Sequence, residues 1–148
     1  MTKSPLRLPF TYQRPVRFQD TDGAGVVFFA NVLGFCHEAY EAALVAMGFD
    51  LKAFFHNPKL AVPIVHATVD FRQPLRVGDQ LTIYLTPQYL KESEFAIAYQ
   101  IVATATDRQL CTALTRHVCI DPRDRTRQAL PPQLLAWMPV PLPENPLQ

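Results

Sequence analysis

The chain has 148 residues, of which 49% are hydrophobic and 18% charged, and its formal net charge is +1. These values indicate one globular domain with a sizeable core, and they exclude a nucleic-acid binder, which would carry a concentrated basic excess. No apolar run approaches the roughly 18 residues needed to span a bilayer, and no signal peptide precedes the first strand, so a cytoplasmic protein without a membrane partner is expected.

The first third of the chain predicts a strand, a loop and one long helix. Residues 10–19 read as a strand, and Pro15 within it indicates an edge position or a bulge. After the loop, apolar residues recur at helical spacing as far as about Met47. Asn31 is the predicted N-cap of this helix, and Gly48 stands where a glycine would end it.

From Ala61 onward the apolar pattern changes from helical spacing to a period of two, which is typical of strands. Turn residues separate four such segments, at residues 61–71, 81–86, 95–103 and 110–120. The sequence therefore predicts an α+β fold in which an antiparallel sheet wraps around the single long helix. Before the sheet, a short helical turn is expected at residues 51–55. Its Phe54 and Phe55 are interpreted as core residues, with the cover of a cleft as the alternative.

The composition also suggests where the domain begins and ends. One domain is expected at residues 10–130, between an N-terminal arm at 1–9 and a proline-rich tail at 131–148. Within the tail, residues 134–138 are interpreted as one turn of helix.

The cysteines and histidines do not suggest a metal centre. Cys36, Cys111 and Cys119 form no paired motif, so buried free thiols in a reducing compartment are expected. The four histidines have no ligand spacing with one another or with the cysteines, and we expect neither a metal nor a cofactor.

The loop between the first strand and the helix carries the residues that suggest chemistry. Asp20 and Asp22 stand beside Gly23 and Gly25, and glycines let backbone N–H groups approach a ligand. The helix that follows adds positive potential at its first turn. A carboxylate beside such donors suggests attack on a carbonyl group whose oxygen becomes negatively charged.

Three other interpretations of this loop compete with that one. Asp22-Gly23 is a strong turn signal, and it accounts for a tight turn with no chemistry attached. A phosphatase-type nucleophile loop fits poorly, because Ala24 stands where a hydroxyl is wanted and no βαβ alternation follows. A calcium loop fails because Asn31 occupies the position of its bidentate glutamate.

Two signatures occur in order along the chain. The first is the run Asp20–Phe29 before the helix, and the second is Val69-Asp70-Phe71-x-x-Pro74 followed by Gly78-Asp79. Over residues 10–130 the chain thereby resembles the hotdog-fold 4-hydroxybenzoyl-CoA thioesterase family. The resemblance implies hydrolysis of an aromatic acyl-CoA by a homotetramer built from dimers, with each active site formed between two subunits.

Three shorter segments indicate one branch within this family. Residues 20–29, 36–41 and 117–120 are most similar to a cyanobacterial branch of the family. That similarity implies 1,4-dihydroxy-2-naphthoyl-CoA as the substrate and a role in phylloquinone biosynthesis. A 4-hydroxybenzoyl-CoA or short-chain acyl-CoA thioesterase is the alternative.

The resemblance assigns different roles to the two aspartates. It makes Asp22 the catalytic carboxylate, which either attacks the carbonyl or activates a water molecule, and the sequence leaves both routes open. Asp20, Gly23 and Gly25 are then loop-structural residues.

Backbone donors at the start of the helix are expected to bind the carbonyl oxygen, at Val27, Phe28 and Phe29. Many relatives carry tyrosine, often followed by histidine, near positions 28–30, where this chain has Phe28-Phe29-Ala30. A side-chain hydroxyl or imidazole is therefore not available here, and only the backbone groups are.

Four further residues are candidates for contact with the substrate. Because phosphate recognition favours arginine, Arg72, Arg76 and Arg116 are candidates for the CoA phosphates, and His66 is a candidate on the strand face it shares with Asp70.

Two rival functions complete the hypotheses. A hotdog dehydratase would need a histidine-bearing loop that is missing here, and a non-catalytic acyl-CoA binder would not need Asp22.

Overall fold

The computed structural model describes residues 6–139, so residues 1–5 of the predicted arm and 140–148 of the predicted tail lie outside the described residues. The strands are β1 (Phe10–Pro15), β2 (Ile64–Phe71), β3 (Gln80–Lys91), β4 (Glu94–Ala103) and β5 (Gln109–Val118). The helices are α1 (Asn31–Ala46), α2 (Leu51–Phe55) and α3 (Pro132–Leu135), and a 3₁₀ turn covers Phe18–Asp20.

The five strands form one antiparallel sheet in the order β1-β3-β4-β5-β2, which places β1 and β2 at its two edges. Helix α1 contributes an apolar stripe to the core on one face of this sheet. The stripe consists of Val32, Phe35, Cys36, Ala39, Tyr40, Ala43 and Leu44. The predicted α+β architecture, a sheet wrapped around one long helix, is therefore confirmed.

Strand β1 is shorter than predicted, because it ends at Pro15 rather than at Gln19. The chain leaves the sheet where the Arg17 N–H donates to Asp20 Oδ2 at 2.8 Å, a contact that belongs to the 3₁₀ turn. The edge position that Pro15 indicates is observed.

Helix α1 begins one residue earlier than predicted. Ala30 is its N-cap, and Asn31 is already helical, so the assignment of Asn31 as N-cap is wrong. The Asn31 side chain instead donates from Nδ2 to the Asp20 carbonyl oxygen at 2.9 Å, which ties the helix to the preceding loop. At the other end, Gly48 has φ of +95° and follows the helix as predicted.

The packed core continues past residue 130. Leu134, Trp137 and Met138 are buried members of the hydrophobic core. The helical turn expected at residues 134–138 is displaced, because α3 starts at Pro132 and ends at Leu135. The three cysteines are buried free thiols. Among the helices of residues 6–139, none is long and apolar enough to cross a membrane.

Candidate active site

The loop that carries Asp22 is a tight turn with one carboxylate oxygen left unoccupied. The Asp22 N–H donates to the Val26 carbonyl at 2.9 Å, and the Gly25 N–H donates to the Asp22 carbonyl at 3.0 Å. Gly25 has φ of +81°, a conformation that favours glycine. Asp22 Oδ1 accepts from the Ala24 N–H at 2.8 Å, whereas Oδ2 has no partner among the described residues, and the side chain is exposed.

Asp20 holds both ends of this loop together. It is buried, and its Oδ2 accepts from Arg14 Nη1 at 3.1 Å and from the Arg17 N–H at 2.8 Å. Its carbonyl oxygen accepts from the Phe28 N–H at 2.9 Å as well as from Asn31. These contacts are those of a structural residue, since both its carboxylate and its carbonyl are occupied by the fold.

The three candidate oxyanion donors are not equivalent. The Val27 N–H donates to the Leu75 carbonyl at 2.8 Å, and the Phe28 N–H donates to Asp20, so the fold already uses both. The Phe29 N–H has no acceptor within the described part of the chain, and neither has that of Ala30. Because α1 starts here, both free N–H groups lie at the positive end of its dipole.

The candidate substrate contacts are distributed over three places. Arg72 lines a groove of about 280 Å³ next to Val26 and Val27 of the loop. Arg76 lines a different groove. His66 and Arg116 lie opposite each other on β2 and β5 and are not among the residues that line either groove. Within one protomer, therefore, only Arg72 is brought to the Asp22 loop.

A second apolar cavity of about 310 Å³ lies between α1, α2 and the start of β2. Phe54 and Phe55, interpreted from the sequence as core residues, line it, and Phe55 is 46% exposed. The remaining lining residues are His37, Tyr40 and residues 61–64. Phe54 packs against the core as predicted, whereas the exposure of Phe55 contradicts its assignment to the core. The sequence signal for this cavity was the pair of adjacent phenylalanines in a short helix.

A buried polar cluster lies on strands β4 and β5, where His117 contacts Tyr40 of helix α1. His117 is fully buried, and its Nε2 lies 2.8 Å from Thr115 Oγ1, which in turn donates to Tyr99 Oη at 3.4 Å. Its ring stacks on that of Phe95, with centroids 4.6 Å apart. Burial, with a smaller contribution from His37, lowers the pKa of His117 to about 3, so the imidazole is neutral.

Within residues 6–139, no group of three or more histidine, cysteine, aspartate or glutamate side chains is placed to hold a metal ion. The groups that the loop itself offers are a carboxylate and backbone N–H groups. That combination suits attack at a carbonyl carbon.

A long helix packed on a five-stranded antiparallel sheet, with a carboxylate loop at the helix start, defines a hotdog-type thioesterase scaffold. Residues 16–138 match the model of the thioesterase-like superfamily, and the chain belongs to that superfamily.

Named relatives agree with this assignment. The chain is 53% identical over 131 residues to a 1,4-dihydroxy-2-naphthoyl-CoA hydrolase of Nostoc punctiforme, covering 88% of this chain and 87% of the relative. It is 48% identical to a hydrolase of the same name from Trichodesmium erythraeum, covering 88% and 96% of the two chains. Among solved structures, a 1,4-dihydroxy-2-naphthoyl-CoA thioesterase from Synechocystis is similar, with a TM-score of 0.83, 39% identity and coverage of 86% and 94%.

Proposed function

We propose that the protein hydrolyses an aromatic acyl-CoA thioester, converting 1,4-dihydroxy-2-naphthoyl-CoA to 1,4-dihydroxy-2-naphthoate and CoA in phylloquinone biosynthesis. The observation that carries this proposal is that an Asp22 carboxylate oxygen and the Phe29 N–H, in the same short loop, both have no partner among residues 6–139. The relatives named for this hydrolase, at 53% and 48% identity, support the choice of acyl group.

In the proposed mechanism the Phe29 N–H binds the thioester oxygen. Loss of one such donor typically costs about 10²–10³-fold in rate. Asp22 then either attacks the carbonyl carbon to give an anhydride, which water hydrolyses, or removes a proton from water that attacks the same carbon. Both routes break the C–S bond and release CoA as a thiolate, so no strong general acid is required.

A single protomer leaves this site uncovered, because Asp22 is exposed and Phe29 is 64% exposed. Edge strand β2 offers a way to cover it. All of its residues except Val69 are exposed, including Ile64, Val65 and Phe71. An edge strand of this length with apolar side chains is a template for pairing with a second chain. We propose that two protomers pair antiparallel through β2.

Such pairing joins the two apolar spaces described above. If two β2 strands pair about their midpoint, Phe71 of one protomer lies beside the partner's Ile64. Phe71 lines the groove at the Asp22 loop, and Ile64 lines the cavity that contains Tyr40 and Phe55. The proposed site therefore takes its carboxylate from one protomer and the aromatic wall for the acyl ring from the other.

We further propose that these dimers associate into a homotetramer and that the protein acts in the cytoplasm. The first proposal follows from the family resemblance. The second is supported by the three cysteines, which are buried as free thiols.

The test is a comparison of kcat/KM for the CoA thioesters of 1,4-dihydroxy-2-naphthoate, 4-hydroxybenzoate and butyrate at one pH, followed by thiol release. Burial of a second fused ring is worth roughly 1–3 kcal/mol, so the bicyclic substrate is expected to lead. The Phe55→Ala variant is expected to reduce this preference.

Three outcomes would contradict the proposal. A butyryl thioester that equals the naphthoyl compound would indicate a general short-chain thioesterase. A leading 4-hydroxybenzoyl thioester would assign the monocyclic acyl group. Binding of every thioester without thiol release would indicate an acyl-CoA binder.

A further inference from the structure

Helix α1 carries a histidine paired with a glutamate at the cavity of about 310 Å³ between α1, α2 and the start of β2. His37 lines this cavity, and its Nδ1 lies 3.0 Å from Glu41 Oε2. A spacing of four residues puts both side chains on one face of the helix. Each side chain keeps 40% of its surface exposed, so the pair lies beside the cavity and not within the core.

The contact with Glu41 determines which ring nitrogen of His37 is free. An ionised carboxylate only accepts hydrogen bonds, so the neutral imidazole donates from Nδ1 and carries its lone pair on Nε2. Nε2 has no partner among residues 6–139, and it does not belong to their buried unpaired polar atoms. His37 therefore presents an accessible hydrogen-bond acceptor.

The other side chains that line the cavity present no accessible polar atom. Tyr40 is the only one of them with a polar group, and its hydroxyl is buried without a partner in the described part of the chain. Aromatic neighbours fix the imidazole, whose centroid lies 5.6 Å from the Tyr40 ring and 6.0 Å from the Phe55 ring. An aromatic ligand in this cavity thus meets one side-chain acceptor, Nε2 of His37.

We propose that His37 is a specificity-determining residue whose Nε2 accepts a hydrogen bond from a hydroxyl on the aromatic ring of the acyl group, an inference that rests on the proposed function. Glu41 is a positioning residue, because it keeps the imidazole proton on Nδ1. In the 1,4-dihydroxy-2-naphthoyl group, the 1-hydroxyl lies next to the thioester and can donate to its oxygen. The 4-hydroxyl is remote from the thioester, and its burial is costly unless the protein supplies an acceptor.

The geometry of α1 indicates that this acceptor comes from the second protomer. His37 follows Phe29 by eight residues, a span of about 12 Å along a helix. A naphthoyl group whose thioester oxygen binds the Phe29 N–H is too short to reach the same chain's His37. The proposed pairing of β2 strands brings the partner's cavity, which Ile64 lines, beside Phe71 at the Asp22 loop.

The test compares two CoA thioesters that differ only in the remote hydroxyl, those of 1,4-dihydroxy-2-naphthoate and 1-hydroxy-2-naphthoate, at pH 8 without oxygen. The wild type is expected to prefer the dihydroxy substrate in kcat/KM by roughly tenfold. His37→Phe keeps an aromatic ring beside Tyr40 and Phe55 but has no acceptor. It is expected to remove this preference by a loss on the dihydroxy substrate. His56→Phe, at an exposed histidine outside the cavity, is the matched control and should keep the preference.

Glu41→Leu removes the partner of Nδ1 and is expected to lower the same preference in part. An unaltered preference in Glu41→Leu would overturn the positioning role of Glu41. Equal kcat/KM of the wild type on both thioesters, or a preference that His37→Phe retains, would overturn the assignment of His37. Equal losses of His37→Phe on both substrates would also overturn it, because they would indicate a packing effect.

Binding of non-hydrolysable analogues, in which a methylene group separates the carbonyl from the sulfur, gives a readout without turnover. Calorimetry compares the dihydroxy and monohydroxy analogues on the wild type and on His37→Phe. Tighter binding of the dihydroxy analogue that His37→Phe abolishes supports the assignment even if the wild type hydrolyses neither thioester. That combination would reject only the proposed function. Equal binding of both analogues by the wild type would reject the role of His37.

Discussion

The guanidinium group of Arg14 lies 3.1 Å from the carboxylate of Asp20, and this ion pair is buried directly beside the loop that carries Asp22. Arg14 Nε also lies 2.8 Å from Glu38 Oε2, on helix α1. One buried arginine on an edge strand thereby fixes both the loop and the helix that follows it. The position of the candidate catalytic carboxylate depends on a charge pair outside the reacting groups.

Replacing Asp20 with asparagine tests that dependence. The Asp20→Asn variant keeps the shape of the side chain but removes the charge that faces Arg14, while Glu38 still accepts from Arg14. We expect the free energy of unfolding to fall by about 1–3 kcal/mol. Chemical denaturation measures the change, and unaltered stability would mean that the ion pair does not hold the loop.

Asp22→Asn is expected to lower the catalytic rate and to leave the stability unchanged. Asp22 is exposed and contacts only its own turn, so the unfolding free energy and the assembly should stay close to those of the wild type. Removal of a catalytic base or nucleophile is expected to lower kcat by about 10²–10⁴-fold. Steady-state kinetics on the naphthoyl thioester measures this change in kcat. A variant that keeps more than about a tenth of the wild-type kcat would exclude Asp22 as the catalytic group, since that loss lies well below the expected range.

A charge on the β2 edge is expected to break the proposed assembly. Val65 on this strand is 48% exposed, and Val77, in the turn that follows, is 51% exposed. Val65→Asp should yield a smaller particle with little activity, because burial of an unpaired carboxylate in a strand pair is costly. Val77→Asp is the matched control and should assemble as the wild type does. Light scattering on both variants gives the masses, and an active Val65→Asp monomer would reject the shared site.

The buried His117 is expected to make stability depend on pH. The pKa of His117 is about 3 in the folded protein, against 6.5 for an ordinary histidine, so the unfolded chain binds more protons between these values. The contribution of neutral His117 to the free energy of unfolding is therefore fully present above pH 6.5. It falls as the pH decreases towards 3, by up to about 1.4 kcal/mol per pH unit.

The His117→Phe variant should remove this contribution while keeping an aromatic ring beside Phe95. Unfolding at pH 7.5, 6 and 5 compares the slopes of the wild type and the variant. Parallel slopes would show that His117 becomes protonated in the folded protein as readily as it does in the unfolded chain.

Residue patterns predicted the elements of this fold more reliably than their ends. Helical spacing from Val32 onward and the alternation after Ala61 reflect which side chains face the core. The helix and the strands that these patterns predict are both observed. The start of α1 was misplaced because Asn31 uses its side chain on the Asp20 carbonyl, a contact that capping preferences do not include.

At the candidate site, too, the sequence predicted the residue types but not their contacts. Residue types were enough to single out Asp22 and the amides at positions 27–29 as a hypothesis. Which of those amides is free depends on Leu75, a distant residue whose carbonyl accepts from the Val27 N–H, and no local pattern contains that information. The cavity around Tyr40 and Phe55 likewise arises from three elements that meet only in the folded chain.

The two edges of the sheet differ in a way that bears on how far the chain can polymerise. Strand β1 follows Pro9 and ends at Pro15, whereas β2 contains neither proline nor lysine. Proline interrupts the row of donors that an added strand requires. Two chains joined through β2 would present only β1 edges to solvent. Growth of the sheet would then stop at a closed pair, and the exposed strand would not become the seed of a fibre.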